Sequence, residues 1–163
     1  MDSGGITHDT IKGVIVEIFS AGSETSSSTT VWAMSEMMKN PRVLAKAQAE
    51  CGERNFEVSS SDSHVSSQRL HGRKTPQYWE DPESFIPERF EKSSIDFMGK
   101  SLLNFYLLGR GRRICPGLGF GFANALSPLA HLLFHFDWKL PSGVTAHTLD
   151  MTEMNGIAVA KKE

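Results

Sequence analysis

The apolar positions near the start of the chain fall at Ile11, Val14, Ile15, Ile18 and Phe19. This is the i, i+3, i+4, i+7, i+8 recurrence of a single helix face, and it predicts a long helix over residues 7–39 with one buried stripe. Thr7 or Asp9 can cap its start. Carried forward, the stripe reaches Gly22, Thr25, Ser26 and Thr29, so an aliphatic face turns small and hydroxylated partway along. Two readings fit that change. One is a crossing point where another helix comes close and the hydroxyls bond back to helix carbonyls. The other is a polar notch in a buried helix where a small ligand sits. Asn40-Pro41 then ends one helix and opens the next, because proline suits a first helical turn. Val43, Leu44 and Ala47 give residues 40–50 a modest apolar face.

Beyond Cys51 the pattern lapses. Residues 52–74 hold few apolar positions and many serines, a composition that reads as linker or irregular loop. Its His64 and His71 lack metal-ligand spacing with any Cys or acid and read as solvated. Residues 75–93 are punctuated by proline, extended and aromatic. Helical periodicity returns with Leu118, Phe122, Leu126, Leu129, Leu133 and Phe136, and Pro128 should kink that run. The remainder reads as a short β-hairpin or irregular strands. The fold class expected is mainly α with a small β component.

Composition narrows the partners more than the fold. With 163 residues, 39% of them hydrophobic and 22% charged, the chain can bury a core. A net charge of −2 points to neither nucleic acid nor an anionic membrane. Two cysteines make no disulfide framework, and a reducing compartment fits. Glu17 interrupts the early apolar run, which excludes a signal peptide there, and no stretch approaches a transmembrane span or anchor.

The chemistry concentrates in residues 105–122, FYLLGRGRRICPGLGFGF. A cysteine ligates or attacks as thiolate, and that anion is favoured by positive potential. Arg110, Arg112 and Arg113 precede Cys115, and the helix predicted from Leu118 adds the partial positive charge of its N-terminus. Pro116 and Gly117 turn the chain. A dinucleotide loop is excluded, since Phe122 stands where that fingerprint needs its third glycine. On the residues alone, this is a loop built to hold one anionic sulphur against something flat or bulky; a plain buried thiol beside a phosphate-binding arginine patch stays open.

LLGRGRRICPG resembles the cysteine-ligand loop of the cytochrome P-450 superfamily, the haem-thiolate monooxygenases, which runs Phe, two residues, Gly, one, Arg, one, Cys, one, Gly. Gly111, Arg113, Cys115 and Gly117 fall on its positions, with Leu108 at the place of the phenylalanine and Arg110 where a small residue is usual. The resemblance implies that Cys115 is the axial ligand of the iron in haem b and that Arg113 pairs with a haem propionate. AGSETS, Ala21 to Ser26, is similar to the oxygen-binding groove of the superfamily's long central helix. There Gly22 would leave room for dioxygen, Thr25 would hydrogen-bond it, and Glu24 would belong to the relay that brings protons from solvent. YWEDPESFIPERF resembles the segment before the haem loop, whose arginine, here Arg89, binds a Glu-x-x-Arg pair on an earlier helix; this chain contains no such pair.

The fold so implied is a partial cytochrome P-450 fold of the plant microsomal type, covering 1–163 as one partial haem-thiolate domain. Residues 7–51 would supply the oxygen-groove helix and the next helix. Residues 75–163 would supply the meander, the ligand loop, its following helix and the C-terminal hairpin. The implied partners are a small hydrophobic substrate and an NADPH-dependent reductase. The family type sits on the endoplasmic reticulum facing the cytosol; without an anchor this chain would be cytosolic or peripheral. At well under half the family's usual length, the chain is expected to be a truncated, poorly active form, with a non-catalytic haem-binding remnant or interaction module as the alternative.

Overall fold

The computed structural model describes residues 6–53, 81, 84–90, 112, 114–156 and 159–162. Helix α1 spans His8–Lys39. Thr7 caps it, its Oγ1 accepting from the Thr10 backbone N–H at 3.2 Å, while Asp9 lies inside the first turn. The helix stops at Asn40, whose N–H donates to the carbonyls of Glu36 and Met37 at 3.0 Å and whose side-chain amide donates to Glu36 O at 2.8 Å. Helix α2, Pro41–Glu53, starts at the proline, as the Asn40-Pro41 signal predicted.

A 3₁₀ turn follows at Pro87–Phe90, and helix α3 occupies Leu118–His135. Pro128 lacks an N–H to give the preceding turn, yet α3 continues through it as one element. At its C-terminal end, carbonyls left without helical partners are met by side chains. Trp138 Nε1 donates to Leu132 O at 2.8 Å, and Gln48 Nε2 reaches Phe136 O at 2.9 Å and Leu133 O at 3.4 Å. The expected hairpin is present but short. Strands β1 (Glu153–Met154) and β2 (Ala160–Lys161) pair antiparallel, Glu153 with Lys161 and Met154 with Ala160.

The core lies where the C-terminal halves of α1 and α3 meet α2. Ala33, Met34 and Met37 pack with Val43, Leu44, Ala47, Cys51, Leu129, Ala130 and Leu133, and Phe85 and Trp138 close its edges. Met37 and Leu129 are wholly enclosed, each contributing about 1.5–3 kcal/mol of burial. Polar ties fix the register. Thr30 Oγ1 donates to Ala125 O across the α1–α3 contact at 3.1 Å, and Val159 O accepts from both Ser28 Oγ (2.8 Å) and Trp32 Nε1 (2.9 Å), which docks the hairpin onto α1.

The stripe expected to be buried, Ile11 to Phe19, is open. Ile11, Val14 and Ile15 are about half exposed, and Phe19 reaches 73%. The period is right and the helix forms, but α3, α2 and β2 meet α1 in its later half. Among the described residues, burial along α1 begins at Ser26.

Candidate functional site

Cys115 lies two residues before Gly117, the N-cap of α3, and its carbonyl accepts from Leu118 N–H at 3.3 Å. The thiol is half-buried and forms no disulfide. A Cβ built on Gly117 would stand 3.9 Å from Cys115 Sγ, whereas one on Gly119 or Gly121 would meet nothing within 4 Å. Gly117 therefore keeps a side chain off the sulphur's flank, while the first turn of α3 alternates glycine with Leu118 and the exposed Phe120. The first turn of α3 holds no acid, so the positive potential of the helix start is not cancelled there. Arg112 is exposed. Leu108, Arg110, Gly111 and Arg113 lie outside the described residues. Cys51, the other cysteine, is buried in the core at 3% exposure. Of the two thiols, only Cys115 is accessible to a ligand.

The α1 notch is open rather than buried. Gly22 is half-buried with nothing within 4 Å of a Cβ placed on it, and Glu24 and Thr25 are exposed. The hydroxyls there turn back onto the helix: Thr25 Oγ1 donates to Ala21 O at 2.6 Å, Ser23 Oγ to Phe19 O at 2.6 Å, and Thr29 Oγ1 to Thr25 O at 2.8 Å. That is the back-bonding expected of a helix crossing, but the polar tie between α1 and α3 is at Thr30. It lies five residues on, about 7.5 Å along the axis. Gly22–Thr25 is thus a notch beside the crossing and not the crossing itself. In sequence, the notch precedes the α1–α3 contact on α1, and Cys115 precedes it on the chain entering α3.

Two features escaped the sequence reading. Ser26 is buried at 8% exposure, and its Oγ has no hydrogen-bond partner. A buried hydroxyl left unpaired costs about 1–3 kcal/mol, and this one adjoins Thr25 at the edge of the notch. Its position on the extrapolated stripe was the available signal. The second is Glu88, in the 3₁₀ turn, whose carboxylate takes Arg42 Nη1 at 2.5 Å and Nη2 at 3.3 Å. Lys46 Nζ stands 3.8 Å away. The Arg42 hydrogen bond, with the charges of Arg42 and Lys46 behind it, lowers the Glu88 carboxyl to about 2 against a partial desolvation that opposes it. Only the neighbouring Arg89 stood out in the sequence, and its side chain lies outside the described residues.

These features suit a haem. A soft thiol donor stands beside a glycine just ahead of a helix N-terminus, an unpaired buried hydroxyl and an open glycine mark the α1 notch, and exposed aliphatic surface on α1 continues from it.

Comparison with known proteins agrees. The family model for Cytochrome P450 matches residues 1–71 and 60–163. The 5-epiaristolochene 1,3-dihydroxylase of Nicotiana tabacum is 45% identical over 204 aligned positions, covering 96% of this chain and 40% of that protein. The premnaspirodiene oxygenase of Hyoscyamus muticus is 40% identical, covering 99% of this chain and 42% of that protein. The chain thus spans about two-fifths of the length of these relatives. The 204 aligned positions also exceed its 163 residues, so the Nicotiana protein carries residues within the matched span that are absent here. A solved zebra fish cytochrome P450 with progesterone shares the fold at a TM-score of 0.79 and 22% identity, over 99% of this chain and 47% of that one. A family model that accounts for the chain end to end and relatives at this identity lead to one assignment: the chain belongs to the cytochrome P450 family, as a plant-type partial chain.

Proposed function

We propose that this chain carries the oxygen-groove helix and the thiolate-ligand loop of a plant cytochrome P450 monooxygenase. The observation that carries the reading is Cys115, a free, half-buried thiol two residues before the N-cap of α3. A haem b bound there would supply dioxygen activation. One oxygen atom would go into a C–H bond of a small organic substrate and the other would leave as water, with two electrons from NADPH through a reductase.

The residues divide the remaining work. Cys115 Sγ would hold the iron from the α3 side, and Arg113 would face a propionate. Leu108, Gly111 and Gly117 would shape the loop beneath the sulphur. Gly22, with no side chain and free space at its Cβ position, leaves room at the groove. Thr25 donates its hydroxyl proton to Ala21 O, which leaves the oxygen's lone pairs free to accept a proton, and exposed Glu24 can collect that proton from solvent. The relatives' names make 5-epiaristolochene-like or premnaspirodiene-like compounds the first substrates to try. The endoplasmic-reticulum surface is the proposed location; no helix among the described residues is long and apolar enough to cross a membrane.

The open face of α1 supports a second feature of this reading, weak coupling. A site flanked by exposed Val14, Ile18 and Phe19 does not exclude water, and Arg89 has no Glu-x-x-Arg partner within the chain. The test is to supply the chain with haem, a plant reductase and NADPH, and to measure product per oxygen consumed. A low ratio that falls further in Thr25→Ala supports the assignment. Well-coupled turnover would contradict the weak-coupling account, and a Thr25→Ala variant with unchanged coupling would reduce the notch to a structural feature.

A further inference from the structure

Helix α3 gives one face to the core and leaves the other to solvent. Leu129, Ala130 and Leu133 are buried, whereas His131 and His135 are exposed. The two histidines are four residues apart, so their side chains leave adjacent turns on the same side of the helix. Their rings lie nearly parallel, with centroids 5.8 Å apart and planes inclined by 16°. Phe134 meets the His135 ring at right angles, its centroid 4.9 Å away, and closes one side of it. The backbone beneath the pair is held. The last carbonyls of a helix lack helical partners, but here Trp138 Nε1 donates to Leu132 O, and Gln48 Nε2 donates to Leu133 O and Phe136 O. The helix dipole favours a cation at the C-terminus, which accounts for one histidine in the last turn. It does not account for a second ring stacked on the first from the turn before.

We propose that His131 and His135 form a surface chelate for a divalent first-row transition-metal ion, taking Cu²⁺ in preference to Zn²⁺. Neutral imidazole is a common donor to such ions, and two histidines at i, i+4 on one helix face can both reach a single ion. At metal–nitrogen distances of about 2.0–2.1 Å the two ring centroids need to close by only about 1 Å, a tilt open to exposed side chains. Among the described residues no group of three or more His, Cys, Asp and Glu side chains could hold a metal ion, so water completes the coordination here. Two imidazoles with open positions suit the tetragonal preference of Cu²⁺, which also stands highest in the affinity order for nitrogen ligands. The site is separate from the P450 reading: Cys115 precedes the N-cap of α3, and the pair lies in its last two turns.

The test needs no haem. The full chain is titrated with Cu²⁺ by calorimetry, carrying Cys115→Ser so that no accessible thiol captures or reduces the ion. The same titration is run with His131→Gln, His135→Gln or His147→Gln added. One ion should bind per chain at the pair. Loss of either ring should weaken it by roughly 10-fold or more, because the second imidazole acts at the high effective concentration set by a shared helix face. His147, exposed and outside α3, should make no difference. Electron paramagnetic resonance of the bound Cu²⁺ should show two imidazole nitrogens, and one fewer in either α3 variant. Absence of a one-to-one complex, α3 variants that bind within about 2-fold of the parent, or an equal loss in His147→Gln would overturn the proposal.

Discussion

The two halves of α1 carry similar lettering and meet opposite fates. Ile11, Val14, Ile15, Ile18 and Phe19 form the more continuous aliphatic stripe, and all are at least 45% exposed. Trp32, Ala33, Met34 and Met37 are less regular and are buried. Periodicity specifies which face of a helix can be covered; the cover has to come from other elements. Here α2, α3 and the hairpin all fall on the later half, through Thr30–Ala125, Trp32–Val159 and the Met37 cluster. The Gly22–Thr25 notch lies at the seam, just before burial begins at Ser26. A helix that passes from open to packed within one turn offers a place where a ligand can rest on a rigid support while still reachable from solvent. A contiguous exposed stripe of this kind is also unusual for an ordinary surface.

The sharpest way to break this comparison is to truncate one side chain in each half. Met37→Ala should destabilise the chain by about 2–5 kcal/mol through the cavity it leaves, whereas Ile15→Ala should stay within about 0.5 kcal/mol. Denaturant unfolding measures both, and equal losses would mean that the early stripe is covered in solution.

A smaller difference should separate two threonines. Thr30→Val removes a hydrogen bond that spans α1 and α3 and should cost about 1 kcal/mol. Thr25→Val removes only an exposed back-bond to Ala21 O and should be close to neutral for stability. The same unfolding curves decide it, and a larger loss at Thr25 would place the crossing at the notch.

The smallest effect expected is electrostatic. Glu88 titrates at about 2 when folded and at its ordinary 4.5 when unfolded. A depressed carboxylate contributes fully above the ordinary value and loses its contribution as pH falls from about 4.5 through about 2. The wild type should therefore lose stability across that window more steeply than Glu88→Gln. Parallel pH profiles would show that the Arg42 contact is not formed in solution.

Much of this was legible in the sequence for physical reasons. The 3.6-residue period, Thr7 as cap and the Asn40-Pro41 break are local signals, and they placed both ends of α1 and the start of α2 to within a residue, while α2 runs three residues past the expected end. Leu126, Leu129 and Leu133 marked the buried face of α3 correctly. Cys115 stood out through its charged, glycine-rich neighbours, and it is the accessible thiol. What could not be read was tertiary. Nothing local to Ile11–Phe19 says whether a neighbour arrives to cover it. The Glu88–Arg42 pair joins residues 46 positions apart and leaves no periodic trace. Ser26 and Thr25 look alike in the stripe, and only the packing of the later half buries one and leaves the other open.

The central claim is that Cys115 is the ligand at this site, and one spectrum tests it most directly. The chain is loaded with haem, reduced and exposed to carbon monoxide, as the wild type and as Cys115→Ser and Cys51→Ala. The wild type and Cys51→Ala should both give the carbonyl band of a thiolate-ligated haem, and Cys115→Ser should lose it. A thiolate band that survives in Cys115→Ser, or that vanishes in Cys51→Ala while the core stays folded, would contradict the assignment.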